Sequence, residues 1–168
     1  DLHSFPTRRS SDLIYLYNNW QEFDSNHGVE PLGDHFTPSW LKQLLHSKKR
    51  QMKALLLDQH FIAGLGNIYV DEALWAARIH PLTTSNKVST IKLNRLHESI
   101  KAILEQAIAY NGTTFINFTF KDGVPGSYRN QLQVFDRAGD PCKICYTTIK
   151  KFRAAGRGTY FCPHCQKR

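Results

Sequence analysis

Residues 51–78 read QMKALLLDQHFIAGLGNIYVDEALWAAR, and the fold turns on how the middle of this stretch is parsed. QMKALLLD (51–58) and NIYVDEALWAAR (67–78) are rich in helix formers, while QHFIAGLG (59–66) carries two glycines. Gly64 and Gly66 permit positive φ or close approach of another backbone, so the chain can turn twice there without steric cost. The expectation is helix, two turns, helix over 51–77. Asn67 falls at the expected N-cap of the second helix, with Asp71 and Glu72 in its early turns. A helix N-terminus offers unpaired N–H groups and partial positive charge, and a glycine-lined approach lets a phosphate come close. Glycines ahead of an Asn-capped helix also occur in helical hairpins that bind nothing, so the spacing by itself is weak evidence for a ligand. Asp58, Asp71 and Glu72 read as helix-terminus charges rather than acid/base catalysts.

Outward from this unit the pattern stays helical. Thr37 is the expected N-cap and Pro38 the first helical residue of a segment whose Trp40, Leu41, Leu44 and Leu45 share one face. Lys48-Lys49-Arg50 marks a solvated junction or a phosphate contact. After His80-Pro81, a long helix is expected from Ser89 or Thr90 to Tyr110, with Leu93, Leu96, Ile100, Ile103, Leu104, Ala107 and Ile108 as its core stripe and Asn111-Gly112 as its stop. His97 within it reads as a packed or surface residue. Beyond Gly112 the turn signals Asp122-Gly123 and Pro125-Gly126 mark a long, glycine-bearing loop.

The four cysteines occupy the last 27 residues as Cys142-x2-Cys145-x16-Cys162-x2-Cys165. Two such knuckles bring four thiolates onto one tetrahedral zinc. Two disulfides are the competing reading, but no secretory signal accompanies them. His164, inside the second knuckle, is expected to point outward. TTIKKFRAAGRGTYF between the knuckles reads as two short strands around the Ala154 to Gly158 turn, with Arg157 near the tip.

The formal charge is +8, and its distribution is uneven. Residues 121–168 hold ten Lys/Arg against three Asp/Glu, interleaved with Phe135, Phe152, Tyr160 and other aromatics that a disordered basic tail would lack. An acidic partner for the C-terminal third is implied. No apolar run reaches the roughly 18 residues of a membrane span.

Three stretches carry a family resemblance: LLLDQHFIAGLGNIYVDEALW (55–75), NGTTFINF (111–118) with DGVPGSYRNQLQVF (122–135), and GRGTYFCPHCQK (156–167). From about Ile14 to Arg168 the chain resembles the C-terminal half of bacterial formamidopyrimidine-DNA glycosylases, repair enzymes that remove oxidised purines. The related endonuclease VIII enzymes, which prefer oxidised pyrimidines, typically depart from GNIYVDEAL after the asparagine. The resemblance implies a mainly α fold, a helix-two-turn-helix domain followed by a small β-hairpin zinc finger, with the N-terminal catalytic β-sandwich largely missing. Its expected divisions are 14–36 for the last strand and linker of the missing domain, 37–120 for the helix-two-turn-helix domain, 121–138 for the lesion loop and connector, and 139–168 for the zinc finger.

By the same resemblance, DNA contacts fall at Lys53, Gly64, Gly66, Asn67, Tyr128 and Arg157. Asn67 would grip a phosphate, Arg157 would bind phosphates at the flipped nucleotide, and residues 121–128 would close over the extruded base. Cys142, Cys145, Cys162 and Cys165 would hold one structural zinc. The family's nucleophile is an N-terminal proline beside a glutamate, which attacks the sugar and cuts the strand through a Schiff base. Here Asp1-Leu2 stands in that place, so the expectation is a DNA-grasping half that cannot itself cut. Double-stranded damaged DNA would be its partner, with no membrane, a monomeric state when full length and a cytoplasmic location. A zinc-dependent DNA-binding module without chemistry is the alternative, and a zinc-stapled RNA-associated protein a more remote one.

The opening DLHSFPTRRSSDL (1–13) has no counterpart in the family. It resembles the translation of a sequencing adapter and is left out of the fold reasoning. The strand candidate Ile14-Tyr15-Leu16-Tyr17 has no partner strand downstream, and a lone strand cannot satisfy its own backbone.

Overall fold

The computed structural model describes residues 27–113 and 127–168. The opening segment, the strand candidate at 14–17 and residues 114–126 of the expected loop lie outside the described residues. Four α-helices and a two-stranded hairpin form the described fold. They are α1 (Pro38–Ser47), α2 (Met52–Leu56), α3 (Asn67–Ala76), α4 (Thr90–Ala109), β1 (Lys150–Ala154) and β2 (Arg157–Phe161).

Helix α1 starts as its sequence dictates, with the Thr37 hydroxyl accepting from Trp40 N at 3.1 Å and Pro38 in the first turn. Helix α4 is capped by Ser89, whose hydroxyl accepts from Lys92 N. It stops at Asn111 and Gly112, both at positive φ, with Gly112 N donating to Ala107 O at 2.7 Å. Ile108, expected in the core stripe, is 66% exposed. It lies one position past Ala107, roughly 100° around the helix from the buried line.

Helix α2 is shorter than its sequence suggests because Asp58 recruits the chain into turns. Its carbonyl accepts from Phe61 N and Ile62 N, and its carboxylate accepts from His60 N. Gln59 then builds the second turn: its side-chain oxygen accepts from Gly64 N at 2.8 Å, and its amide nitrogen donates to the carbonyls of Leu57 and Leu65. Gly64 has φ +74°, where a side chain would be strained. Arg50 pairs with Asp58 at 2.7 Å, and Arg50 and Lys48 lie over the Phe61 ring, so the basic junction is engaged with the turn beneath it.

The main core is helical. Leu41, Leu45, Leu56, Leu74 and Leu96 are fully buried in it, each worth roughly 1.5–3 kcal/mol of transfer free energy. His97 belongs to this core: it stacks on Phe36 at 4.9 Å, and its Nε2 hydrogen-bonds Phe36 O at 2.8 Å. Helix α3 packs on α4 on one side and on β2 on the other, which makes it the central element of the fold.

The hairpin is antiparallel, with Ala154 opposite Arg157 and Lys150 opposite Phe161. Its two turn residues, Ala155 and Gly156, are both at positive φ, as the twist-compatible two-residue turn requires. The hairpin's own core is small, centred on Val134, Cys142, Ile149, Tyr160 and Cys162, with Trp75 of α3 packed against it.

Candidate nucleic-acid interface and metal centre

The four cysteines converge as their spacing demands. Their sulfurs lie within 4.8 Å of one another. Cys142 and Cys165 are 3.9 Å apart, Cys145 and Cys162 3.4 Å, and Cys145 and Cys165 3.5 Å. A tetrahedral zinc with thiolate bonds of about 2.3 Å sets sulfur separations of about 3.8 Å, so the donor set fits one zinc. All four are free thiols, and the separations far exceed the roughly 2.05 Å of a disulfide. The second knuckle is tied to the segment just after α3 through the fully buried Gln166, whose side chain accepts from Cys162 N at 2.8 Å and donates to Ile79 O at 2.9 Å. His164 is exposed.

The hairpin tip meets the N-terminus of α3. Gly66, not Asn67, occupies the N-cap, and Asn67 is the first helical residue with no capping role. Its side chain is thereby free to cross to the hairpin, where Nδ2 donates to Gly158 O at 3.2 Å. The same carbonyl accepts from Lys53 Nζ at 3.0 Å. Arg157, next in the chain to Gly158, is exposed and has no carboxylate partner among the described residues. Lys53 and Asn67 thus meet at the Gly158 carbonyl, one residue on from Arg157. Gly66 borders this place with ordinary φ of −87°, and a Cβ built on it meets nothing within 4 Å.

Lys53, expected as a DNA contact, lies inside the protein. It is fully buried, with Nζ 2.7 Å from Asp71 Oδ1. Burial pushes its ammonium below the usual lysine range, against the pull of the Asp71 carboxylate. Burial likewise pushes Asp71 up to about 6, opposed by Lys53. Desolvation outweighs attraction for both partners, the usual situation of a buried ion pair. Tyr128, also expected as a DNA contact, is 3% exposed and packs against Tyr69 and Tyr110. Burial pushes its hydroxyl up to about 12. Its backbone closes the base of the 114–126 segment, with Tyr128 N donating to Gly112 O beside the Thr113–Ser127 bridge.

Asp71 and Glu72, expected as helix-terminus charges, are instead buried clamps. Asp71 Oδ2 accepts from Tyr160 N at 2.9 Å. Glu72 accepts from three successive backbone amides, Gln133, Val134 and Phe135, at 2.8 to 2.9 Å. Burial raises its carboxyl, and these three amides oppose the rise. The signal for both was present: NIYVDEALWA is apolar nearly all round, and a helix of that kind is enclosed, so acids within it need partners.

Among the described residues, no helix is long and apolar enough to cross a membrane. Residues 27–119 match the family model "Formamidopyrimidine-DNA glycosylase H2TH domain", and residues 139–168 match "Zinc finger found in FPG and IleRS". That match and the thiol geometry together assign one structural zinc to the four cysteines. A formamidopyrimidine-DNA glycosylase of Chloroflexus aurantiacus is 48% identical over 143 residues, covering 85% of this chain and 51% of the relative. The crystal structure of the MutM (Fpg) protein of Thermus thermophilus superposes with a TM-score of 0.82 at 35% identity, covering 89% of this chain and 57% of that one. The Lactococcus lactis Fpg in complex with DNA containing an abasic site superposes with a TM-score of 0.81 at 38% identity, covering 88% and 54%. The chain spans about half the length of the curated relatives it matches. With the first family match extending over more than half of its 168 residues, the chain belongs to the formamidopyrimidine-DNA glycosylase family.

Proposed function

We propose that this chain is the DNA-grasping part of a base-excision-repair glycosylase and AP lyase that removes oxidised purines, such as formamidopyrimidine and 8-oxoguanine, from double-stranded DNA. The observation that carries the reading is the shared Gly158 carbonyl, which sets an arginine without a carboxylate partner among the described residues next to the N-terminus of α3. The backbone N–H groups and dipole of that helix start, with an exposed arginine one residue from the shared carbonyl, make an arrangement suited to a phosphodiester. Gly66 fits this role, because among the described residues no atom lies within 4 Å of a Cβ built on it, which leaves room for a backbone to approach. Gly64 shapes the approach through its left-handed turn, Lys53 supports Gly158 from behind, and Tyr128 fixes the base of the loop that would face the extruded nucleotide.

The zinc's contribution is structural: it closes a module whose core is too small to hold Arg157 in place unaided. Base removal and strand cleavage are proposed for the whole protein, acting as a monomer on DNA in the bacterial cytoplasm. The solved Lactococcus relatives bound to Fapy-dG and abasic DNA support the substrate class.

Fluorescence anisotropy with a duplex bearing a tetrahydrofuran abasic analogue tests the reading. The zinc-loaded chain is expected to bind, with affinity falling as salt rises. Asn67→Ala and Arg157→Ala are each expected to weaken binding and to reduce the slope of log K against log salt by about one. Unchanged affinity in both variants would overturn the assignment.

A further inference from the structure

Asp71 stands four residues after Asn67 and so lies on the same face of α3, turned toward the hairpin. Both its oxygens are committed, one within the helical core and one across its boundary with the zinc module. Oδ1 holds Lys53 Nζ at 2.7 Å, and Oδ2 accepts from Tyr160 N at 2.9 Å. Lys53 passes the constraint on to Gly158 O at 3.0 Å, where Asn67 Nδ2 closes the circuit at 3.2 Å. Gly158 is bonded directly to Arg157, whose strand partner Ala154 stands across the two-residue turn.

A buried ion pair is a poor way to gain stability, since a well-packed apolar pair does as well or better. Here the charged groups make contacts that an apolar pair could not: one backbone N–H and one backbone carbonyl of β2, two residues apart, are gripped from α2 and α3. We propose that Asp71 is a positioning residue of the DNA grip, acting through Lys53 and the Tyr160 amide to fix Gly158 and thereby place Arg157 beside Asn67. The inference rests on the reading that Asn67 and Arg157 take the DNA backbone.

Asp71→Asn is the test, because the amide oxygen still accepts from Tyr160 N while its NH2 group repels the Lys53 ammonium. The assay is anisotropy titration of the zinc-loaded full chain with the tetrahydrofuran duplex across a salt series, with zinc content and helical circular dichroism measured alongside. The expected result is an affinity loss of about tenfold and a salt slope reduced by about one, with zinc content retained. Arg157→Ala should add little on the Asp71→Asn background, although it weakens the wild-type chain. If Asp71→Asn fails to load zinc, the Lys53→Met/Asp71→Leu double variant decides, since it restores apolar packing but cannot hold Gly158; it should bind as weakly as Arg157→Ala. Wild-type affinity and slope in a folded, zinc-loaded variant, or full additivity with Arg157→Ala, would overturn the inference alone. A wild-type chain that does not bind the duplex would overturn the DNA reading and this inference with it.

Discussion

Glu72 offers the sharpest test of how the helical core holds the zinc module. It is 2% exposed, and its two oxygens satisfy three consecutive N–H groups: Oε2 that of Gln133, and Oε1 those of Val134 and Phe135. Glu72→Gln keeps the shape but turns one acceptor into a donor. The best placement leaves the amide oxygen on Val134 and Phe135 and sets NH2 against Gln133 N–H. That orphaned donor costs about 1–3 kcal/mol, and the two surviving bonds lose their charge assistance, at about 1 kcal/mol each. Relief from burying a carboxylate, which burial already pushes up in pKa, returns part of this. The net loss should be about 3 kcal/mol, or roughly 10 °C in Tm for a chain of this length. Urea unfolding of the zinc-saturated chain, followed by circular dichroism, measures it, and hydrogen exchange at residues 133–135 locates it. A loss below about 1 kcal/mol, with exchange protection at 133–135 unchanged, would refute the clamp.

Three further outcomes follow from the geometry. Gly64→Ala should cost about 1 kcal/mol because φ is +74°, whereas Gly66→Ala should leave urea stability within about 0.5 kcal/mol yet weaken DNA binding. Ala155→Asn should raise hairpin stability by about 0.5 kcal/mol, since Asn tolerates the left-handed turn position that Ala155 holds at φ 49°; an unchanged or lower midpoint would count against the turn assignment. The Asp71 carboxyl, facing Lys53 and Glu72, should titrate near 6 rather than 3.8 when followed by carboxyl carbon NMR. Because the folded value is raised, the folded state holds this proton more tightly than the unfolded chain. The stability from protonated Asp71 is present below the unfolded value and lost as pH rises through about 6; a midpoint near 3.8 would contradict the enclosure of the pair.

The elements legible in the sequence were those set by local chemistry. Thr37-Pro38 starts α1, Ser89 starts α4, Asn111-Gly112 ends it, and the cysteine spacing places four thiols around one point. Each of these signals acts within a few residues, so no tertiary knowledge was needed. The parts that differed were decided by partners distant in sequence. Asn67 reads as an N-cap until Gly158, 91 residues away, appears as its acceptor. Lys53, taken from the resemblance as a DNA contact, is enclosed by Asp71, 18 residues away. Glu72 reads as a helix-start charge, yet its three partners lie some 60 residues downstream. Charge placement on a helix is visible in one dimension, whereas the partner that neutralises it is not.

If the zinc hairpin and the N-terminus of α3 form one grip on the DNA backbone, DNA affinity depends on zinc. Anisotropy on the tetrahydrofuran duplex, measured on the zinc-loaded chain, after chelation, and after zinc is returned, tests it most directly. Affinity should collapse on chelation, because Arg157 and Gly158 lose their fixed place beside Asn67, and should recover with zinc but not with magnesium. Full affinity in the zinc-free chain would contradict the account.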